Sequence, residues 1–299
     1  SGSAGNIDVA VNGAAFIVNG GLISSNTYSS GSAGNVKLSA GTLAIDGGPN
    51  TVGTGISAEA AAGASGQTGG VSVTATEEIV FSNGGGVSIA NGAVLEDPGG
   101  VAPTDVIVNA PYVVFRSRFV ITASSTGNVA ASNILLTFTD RLQLDHSAIG
   151  TIAIAGNGGA IRIQGGNLMV LDDSWVTTSV LGPSGNGGDI GVKADVLVMN
   201  TGFIQANTAA LAASGGNVSI DVGALIPSGN TLALGSRSGN VFAQEVFGYN
   251  VIEAAAPDGI SGAIQVSSPA LDLAGALGGL STAMIDFGAL GKDPCRVGA

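Results

Sequence analysis

Asp145, His146, Asp172 and Asp173 are the residues of this chain whose types and spacing could do chemistry. They sit in "LQLDHSAIG", residues 142–150, and "VLDDSWVTT", residues 170–178. If strands stack at that spacing, Asp145 and Asp172 come within about 5 Å of each other. Carboxylates that close raise one another's pKa, which is how glycosidases keep one acid protonated beside one ionised. On this reading Asp145, Asp172 and Asp173 would serve a polysaccharide lyase or hydrolase. His146 is the one histidine of the chain. Any Ser-His-Asp triad must use it, yet no G-x-S-x-G elbow supplies a serine.

The same residues have a plainer reading. Placing the second apolar run of successive segments in line stacks Asn19, Asp46, Ser82, Arg116, Asp145, Asp172 and Asn200. Asn and Asp at a corner satisfy backbone groups and tolerate left-handed geometry, so the series reads as a polar corner ladder. Arg116, one step before Asp145, offers that carboxylate an ion pair. No neighbouring basic residues are present to hold an acidic sugar. The ladder is the preferred reading, no catalytic residue is assigned, and the chain is expected not to be an enzyme.

Other motifs are weaker. "GNGGD", residues 185–189, lacks the tandem register of calcium-binding glycine nonapeptides. None of Lys37, Lys193 or Lys292 has P-loop glycine spacing. Cys295 is the only cysteine, so neither an internal disulfide nor a cysteine-based metal site is possible. No cofactor and no metal is expected. Trp175 is expected to pack at a strand start and not to form a sugar platform.

The elements that must position these residues are strands. Glycine makes up 50 of 299 residues and charged residues only 10%, with 45% hydrophobic, which excludes disorder. Glycine shows no three-residue period, which excludes collagen. Nine basic against 21 acidic residues give a net charge of −12 with no basic patch, so nucleic acid and anionic membrane are poor partners. No apolar run is long enough for a helical membrane span, and aromatics at 4% are too few for the girdles of an outer-membrane barrel.

Apolar strands after a glycine or polar turn start at Ile7, Val36, Val71, Val106, Ile134, Ile161, Ile190, Val218 and Ile264, a recurrence of 27 to 46 residues. Self-similarity at such a period marks a solenoid. Three short runs per period, as in "DIGV", "DVLVM" and "GFIQA", predict one rung of a parallel β-helix each. The expected fold is all-β: a single right-handed solenoid of about nine coils, three short strands per coil. It would fill residues 1–261, with longer loops near 46–70 and 223–261, the first an extruded loop and the second a hairpin or partial coil. Residues 262–299 would be the last coil and a closing segment.

The glycine-turn segments, and "NVIEAAAPDGISGAIQVSSPALDLAGALGGLSTAMIDFGALGKDPCR" over residues 250–296, resemble filamentous-haemagglutinin-like exoproteins of bacterial two-partner secretion. The resemblance implies export through an outer-membrane secretion pore and folding outside the cell, at the bacterial surface, as an adhesin or surface fibre. The family's N-terminal secretion domain is not recognisable, so the chain reads as part of a longer precursor. Open strand edges at the ends of such a rod would let copies join head to tail. The subunit interface is expected to join Ile7, Val9 and Val11 to Leu280, Met284, Ile285, Phe287, Leu290 and Cys295. The partners expected are therefore the chain itself, as a polymer, and surface glycans or other cells.

Overall fold

In a computed structural model that describes residues 2–49, 53–236 and 238–268, the chain is a succession of parallel strands joined by glycine and asparagine corners. They begin with β1 (Ile7–Ala10), β2 (Ala14–Val18), β3 (Leu22–Thr27), β4 (Val36–Asp46), β5 (Gly55–Ala60), β6 (Val71–Ser82) and β7 (Gly86–Asn91). Then come β8 (Asp105–Asn109), β9 (Tyr112–Arg116), β10 (Val120–Ser125), β11 (Asn133–Phe138), β12 (Arg141–Asp145) and β13 (Ala148–Ala155). The rest are β14 (Ile161–Gly165), β15 (Leu168–Ser184), β16 (Ile190–Thr208), β17 (Val218–Pro227), β18 (Leu232–Leu234), β19 (Asn250–Glu253) and β20 (Ile264–Ser267). Among the described residues the only helical turns are single 3-10 turns at Pro98–Gly100 and Ser228–Asn230.

The strand starts read from the sequence are register partners. Ile7 lies beside Val36, Val36 beside Val71, and the series continues through Val106, Ile134, Ile161, Ile190 and Val218 to Ile264. A second series runs Ala14, Thr42, Glu78, Tyr112, Arg141, Leu168, Val196, Ala224. A third runs Leu22, Gly55, Gly86, Val120, Ala148, Trp175, Phe203, Val251. Every pairing is parallel.

The expected open solenoid of three short, separate strands per coil is corrected by how these series connect. Strand β6 pairs with β8 through Val71–Thr74 and with β9 through Glu78–Phe81, so it bends through a corner and belongs to two series. Strand β16 does the same between β14 and β15. The pairing therefore closes: β6, β8, β11, β14, β16, β15, β12, β9 and back to β6 is an eight-stranded parallel ring, a barrel closed in its pairing, and the remaining strands lie outside it. Strands of 17 and 19 residues at β15 and β16 replace the expected runs of four or five. That closed pairing, and not a stack of independent three-strand repeats, is the architecture. The physical reason is that β6 and β16 each run on past a corner, so that one strand carries pairings in two series.

Alternation places one side of each strand inward. Val36, Val71, Val106, Ile134, Ile161, Ile190 and Val218 form one buried column, and Val87, Ile121, Ile149, Val176, Ile204 and Ile252 another. Phe81 stacks on Phe119 at 4.3 Å and tilts against Phe115 at 4.8 Å, and all three rings are fully buried. Buried hydroxyls satisfy interior carbonyls: Thr151 Oγ1 donates to Gly159 O at 2.8 Å and Ser125 Oγ to Val129 O at 2.6 Å.

The recurring glycines have a steric cause. A Cβ on Gly188 would stand 2.1 Å from the carbonyl oxygen of Gly159, and one on Gly216 would stand 1.9 Å from that of Gly188. Each layer's carbonyl occupies the space a side chain of the next would need. Beside this column the side-chain oxygens of Asn6, Asn35, Asn133 and Asn217 accept the N–H of Asn35, Gly70, Ala160 and Ala263 in the following layers, at 2.7 to 3.1 Å.

Residues 46–70 are not simply an extruded loop, because β5 lies within them and pairs with β3 and β7. Within residues 223–261, β18 and β19 run parallel and β19 pairs with β16, an arrangement of the partial-coil kind and not of the hairpin kind among the described residues. The described residues up to Ser268 belong to one compact unit, and the division falls after Ser268. The expected closing segment beyond Ser268 lies outside the described residues.

Candidate functional site

The corner that follows β12 and passes through the middle of β15 and β16 carries the chemistry-bearing residues. Arg116, Asp145, Asp172 and Asn200 are successive register partners there, as are Asp46 and Ser82 earlier. Asn19 is one step out of line, since the partner of Asp46 is Val18. That shift has a cause in the backbone. The left-handed position is the residue after the ladder: Asn83, Ser117, His146, Asp173 and Thr201 have φ of 54, 56, 48, 45 and 51°, and Asn19, at 49°, belongs with them. Thr201 is β-branched, so its φ is a strained choice.

This geometry brings His146 between two carboxylates. Its Nδ1 lies 2.5 Å from Asp145 Oδ1 and its Nε2 lies 3.2 Å from Asp173 Oδ2. The hydrogen bond with Asp145 raises the imidazole pKa above 6.5, partial burial opposes it, and the charges of Asp145, Asp173 and Asp172 add to the rise. Arg116 makes no ion pair with Asp145 among the described residues; the histidine holds that place. Asp172 Oδ1 accepts from Asn200 Nδ2 at 2.7 Å. Asp46 Oδ1 accepts from Asn83 Nδ2 at 2.8 Å and from the Gly48 N–H, which hold its carboxyl below the usual range.

The excursion between β18 and β19 folds back over this corner, which sequence reasoning did not foresee. Asp173 is only 5% exposed, and its Oδ1 accepts the Glu245 N–H at 2.9 Å. Thr201 Oγ1 donates to the Val246 carbonyl. A cavity of about 250 Å³ remains, lined by His146, Asp172, Asp173, Asn200, Thr201, Glu245 and Phe247. Two buried acceptors, Asp173 Oδ2 and Asn200 Oδ1, take no hydrogen bond there, although the first is in ion-pair contact with His146. Among the described residues no three His, Cys, Asp or Glu are placed to ligate one metal ion.

The same excursion is anchored twice more. Phe242 packs on Trp175 at 4.5 Å and edge-on against Phe203 at 5.0 Å, so Trp175 does pack within the protein. Glu253, with no exposed surface, accepts from Gln205 Nε2, Asn207 Nδ2, and both the N–H and the side-chain amide of Asn240. Nothing in the local sequence around Glu253 signals this; the partners come from two separate segments, β16 and the excursion.

Of the expected interface residues, Ile7, Val9 and Val11 are half-buried and pack against the first layer of the core. Leu280, Met284, Ile285, Phe287, Leu290 and Cys295 lie outside the described residues.

No family model, curated protein or solved structure matches this chain. The resemblance to filamentous-haemagglutinin-like exoproteins thus has no family match behind it.

Proposed function

We propose that this chain is a structural protein of the cell exterior, a shaft or filament subunit that associates end to end with copies of itself. The observation that carries the reading is the set of edge strands at both ends of the described residues, with uncovered apolar side chains beside them, although others such as Leu211 and Val241 lie elsewhere. Phe16 (70% exposed), Val18, Leu22 and Tyr28 stand in the first layer, on or beside β2 and β3. Ile226, Leu234 and Ile260 stand in the outermost layer of the other end of the described residues. Strands β1, β2 and β3 each have one neighbour among the described strands, as do β18 and β20. A strand edge of this kind favours addition of another parallel strand. The inward residues also match: β1 presents Ile7 and Val9, and β20 presents Ile264 and Val266, all partly buried against the core.

The test is sedimentation velocity with electron microscopy of the intact chain. End-to-end assemblies that grow with concentration are expected, and Phe16→Glu with Leu22→Glu should return monomers. A monomer at every concentration, or unchanged assembly in the double variant, would overturn the reading.

The cavity at His146 favours a second reading, a polysaccharide lyase or hydrolase using Asp145, Asp172 and Asp173. Release of sugar from pectin or alginate that disappears in Asp145→Asn with Asp172→Asn would bring it to first place.

A further inference from the structure

We propose that Asn12 is a self-modifying site: its side chain closes on the nitrogen of Gly13 to a succinimide, which water opens to aspartate and iso-aspartate. Six Asn-Gly pairs occur in the chain, at Asn12, Asn19, Asn83, Asn91, Asn157 and Asn186. Glycine has no Cβ, so it shields its own nitrogen least from the side chain before it. The structure separates the first pair from the other five.

In those five the glycine N–H is already bonded. That of Gly20 donates to Thr54 Oγ1 at 2.7 Å. Those of Gly84, Gly92, Gly158 and Gly187 donate to the carbonyls of Ser117, Ala60, Asn186 and Ser214 at 2.8 to 3.1 Å. Four of the asparagines are engaged as well: Asn83 with Asp46, Asn91 with the Ala93 N–H, Asn157 with the Asn186 N–H and Asn186 with the Ser214 N–H. At the first pair, neither the Gly13 N–H nor the Asn12 side chain makes a hydrogen bond among the described residues. Both residues are exposed, in a bend between β1 and β2.

The glycines differ in the same way. Gly20 and Gly84 have φ of 90 and 73°, where a side chain is strained. A Cβ on Gly92, Gly158 or Gly187 would stand 2.5 to 2.8 Å from the backbone of Ala62, Gly188 or Gly216. A Cβ on Gly13 meets nothing within 4 Å, and its φ is not left-handed. Neither backbone nor packing calls for glycine there.

The step needs only water. Gly13 N forms a bond to Asn12 Cγ, the Cγ–Nδ2 bond breaks, and Nδ2 leaves as ammonia with the proton from Gly13 N. Water then adds to one of the two ring carbonyls. Opening at Cγ leaves aspartate, and opening at the backbone carbonyl leaves iso-aspartate, with the chain running through Cγ. At the other five pairs a hydrogen bond must open before the nitrogen can attack. Each event adds one negative charge between the edge strands β1 and β2, at the end where copies are proposed to meet.

The experiment is incubation of the intact chain at mildly alkaline pH in water enriched in heavy oxygen, followed by fragmentation mass spectrometry of its peptides. The heavy oxygen marks only the asparagines converted during incubation. Asn12 should take up label at least about tenfold faster than any of the other five, equivalent to about 1.4 kcal/mol of bonding that those must first break. In urea the six should converge. Gly13→Ala, which the space around Gly13 admits, should bring Asn12 down to the level of the others and leave the unfolding midpoint unchanged. A rate at Asn12 no higher than at the other pairs, an advantage undiminished in urea, or equal labelling of Asn12 in Gly13→Ala would overturn the proposal. The incubation is done in dilute solution, below any assembly, so its outcome stands separately from that of the end-to-end reading.

Discussion

Gln205 Nε2 donates a 2.6 Å hydrogen bond to Glu253 Oε1 in the interior, 48 residues further along the chain. The acceptor has no exposed surface, and among the described residues its hydrogen-bond donors are amide groups. Replacing Glu253 by Ala strands the donors of Gln205, Asn207 and Asn240. The cost should be about 3 kcal/mol or more, concentrated in the excursion that Asn240 belongs to. Trp175, the sole tryptophan, packs against Phe242 of that excursion, so its emission should shift to the red and protease should cut within residues 238–249.

Gly188 and Gly191 give a paired test of the layer contacts. A Cβ at Gly188 would collide with the Gly159 carbonyl, whereas a Cβ at Gly191 meets nothing within 4 Å. Gly188→Ala should lower the urea midpoint by the equivalent of about 2 kcal/mol or more, while Gly191→Ala should leave it unchanged or raise it slightly. Equal effects would mean that glycine is needed for chain flexibility and not for space.

Phe81 touches both Phe115 and Phe119 and is fully buried. Phe81→Ala should cost about 3–5 kcal/mol by leaving a cavity between layers, and Phe81→Leu noticeably less. Denaturant unfolding of the two variants measures the difference.

His146 sets a pH dependence whose sign is fixed by the direction of its shift. Its folded pKa is raised above 6.5, chiefly by the hydrogen bond with Asp145, so its contribution is complete below 6.5 and fades as pH rises through the folded value. Its side chain is 47% exposed, which limits the contribution to less than about 1 kcal/mol. Unfolding midpoints should fall slightly from about pH 6 to pH 8 and become flat in His146→Gln, since no other histidine is present.

The sequence carried the register of the fold because glycine turns and apolar starts are local signals, and Ile7 through Ile264 fall in line as their spacing predicts. It did not carry the closure. Whether Val71–Thr74 and Glu78–Phe81 are two strands or one bent strand depends on hydrogen bonds to β8 and β9, which no local pattern encodes. The site was legible as far as Asp145 and Asp172, which neighbouring strands place together. His146 was visible as a residue but not as the partner of Asp173, because that contact depends on left-handed turns one residue beyond the ladder. Glu245 and Phe247 were out of reach, since their segment joins the corner through bonds to Asp173 and Thr201 across long sequence separations.

The carbonyl of Gly159 filling the place of a Cβ on Gly188 has a consequence for how such a chain can change in length. A residue added between those glycines must leave at a corner, or it would bring a different residue opposite that oxygen. Where partners stand 27 to 29 residues apart, between Val106 and Val218, differences of one or two residues are already absorbed at corners. Between Val36 and Val106 the interval is 35 residues, and between Val218 and Ile264 it is 46; there the surplus leaves at a corner and the register resumes intact. Additions at those corners can be inherited without rebuilding the interior, and the segment that closes over His146 is one of them.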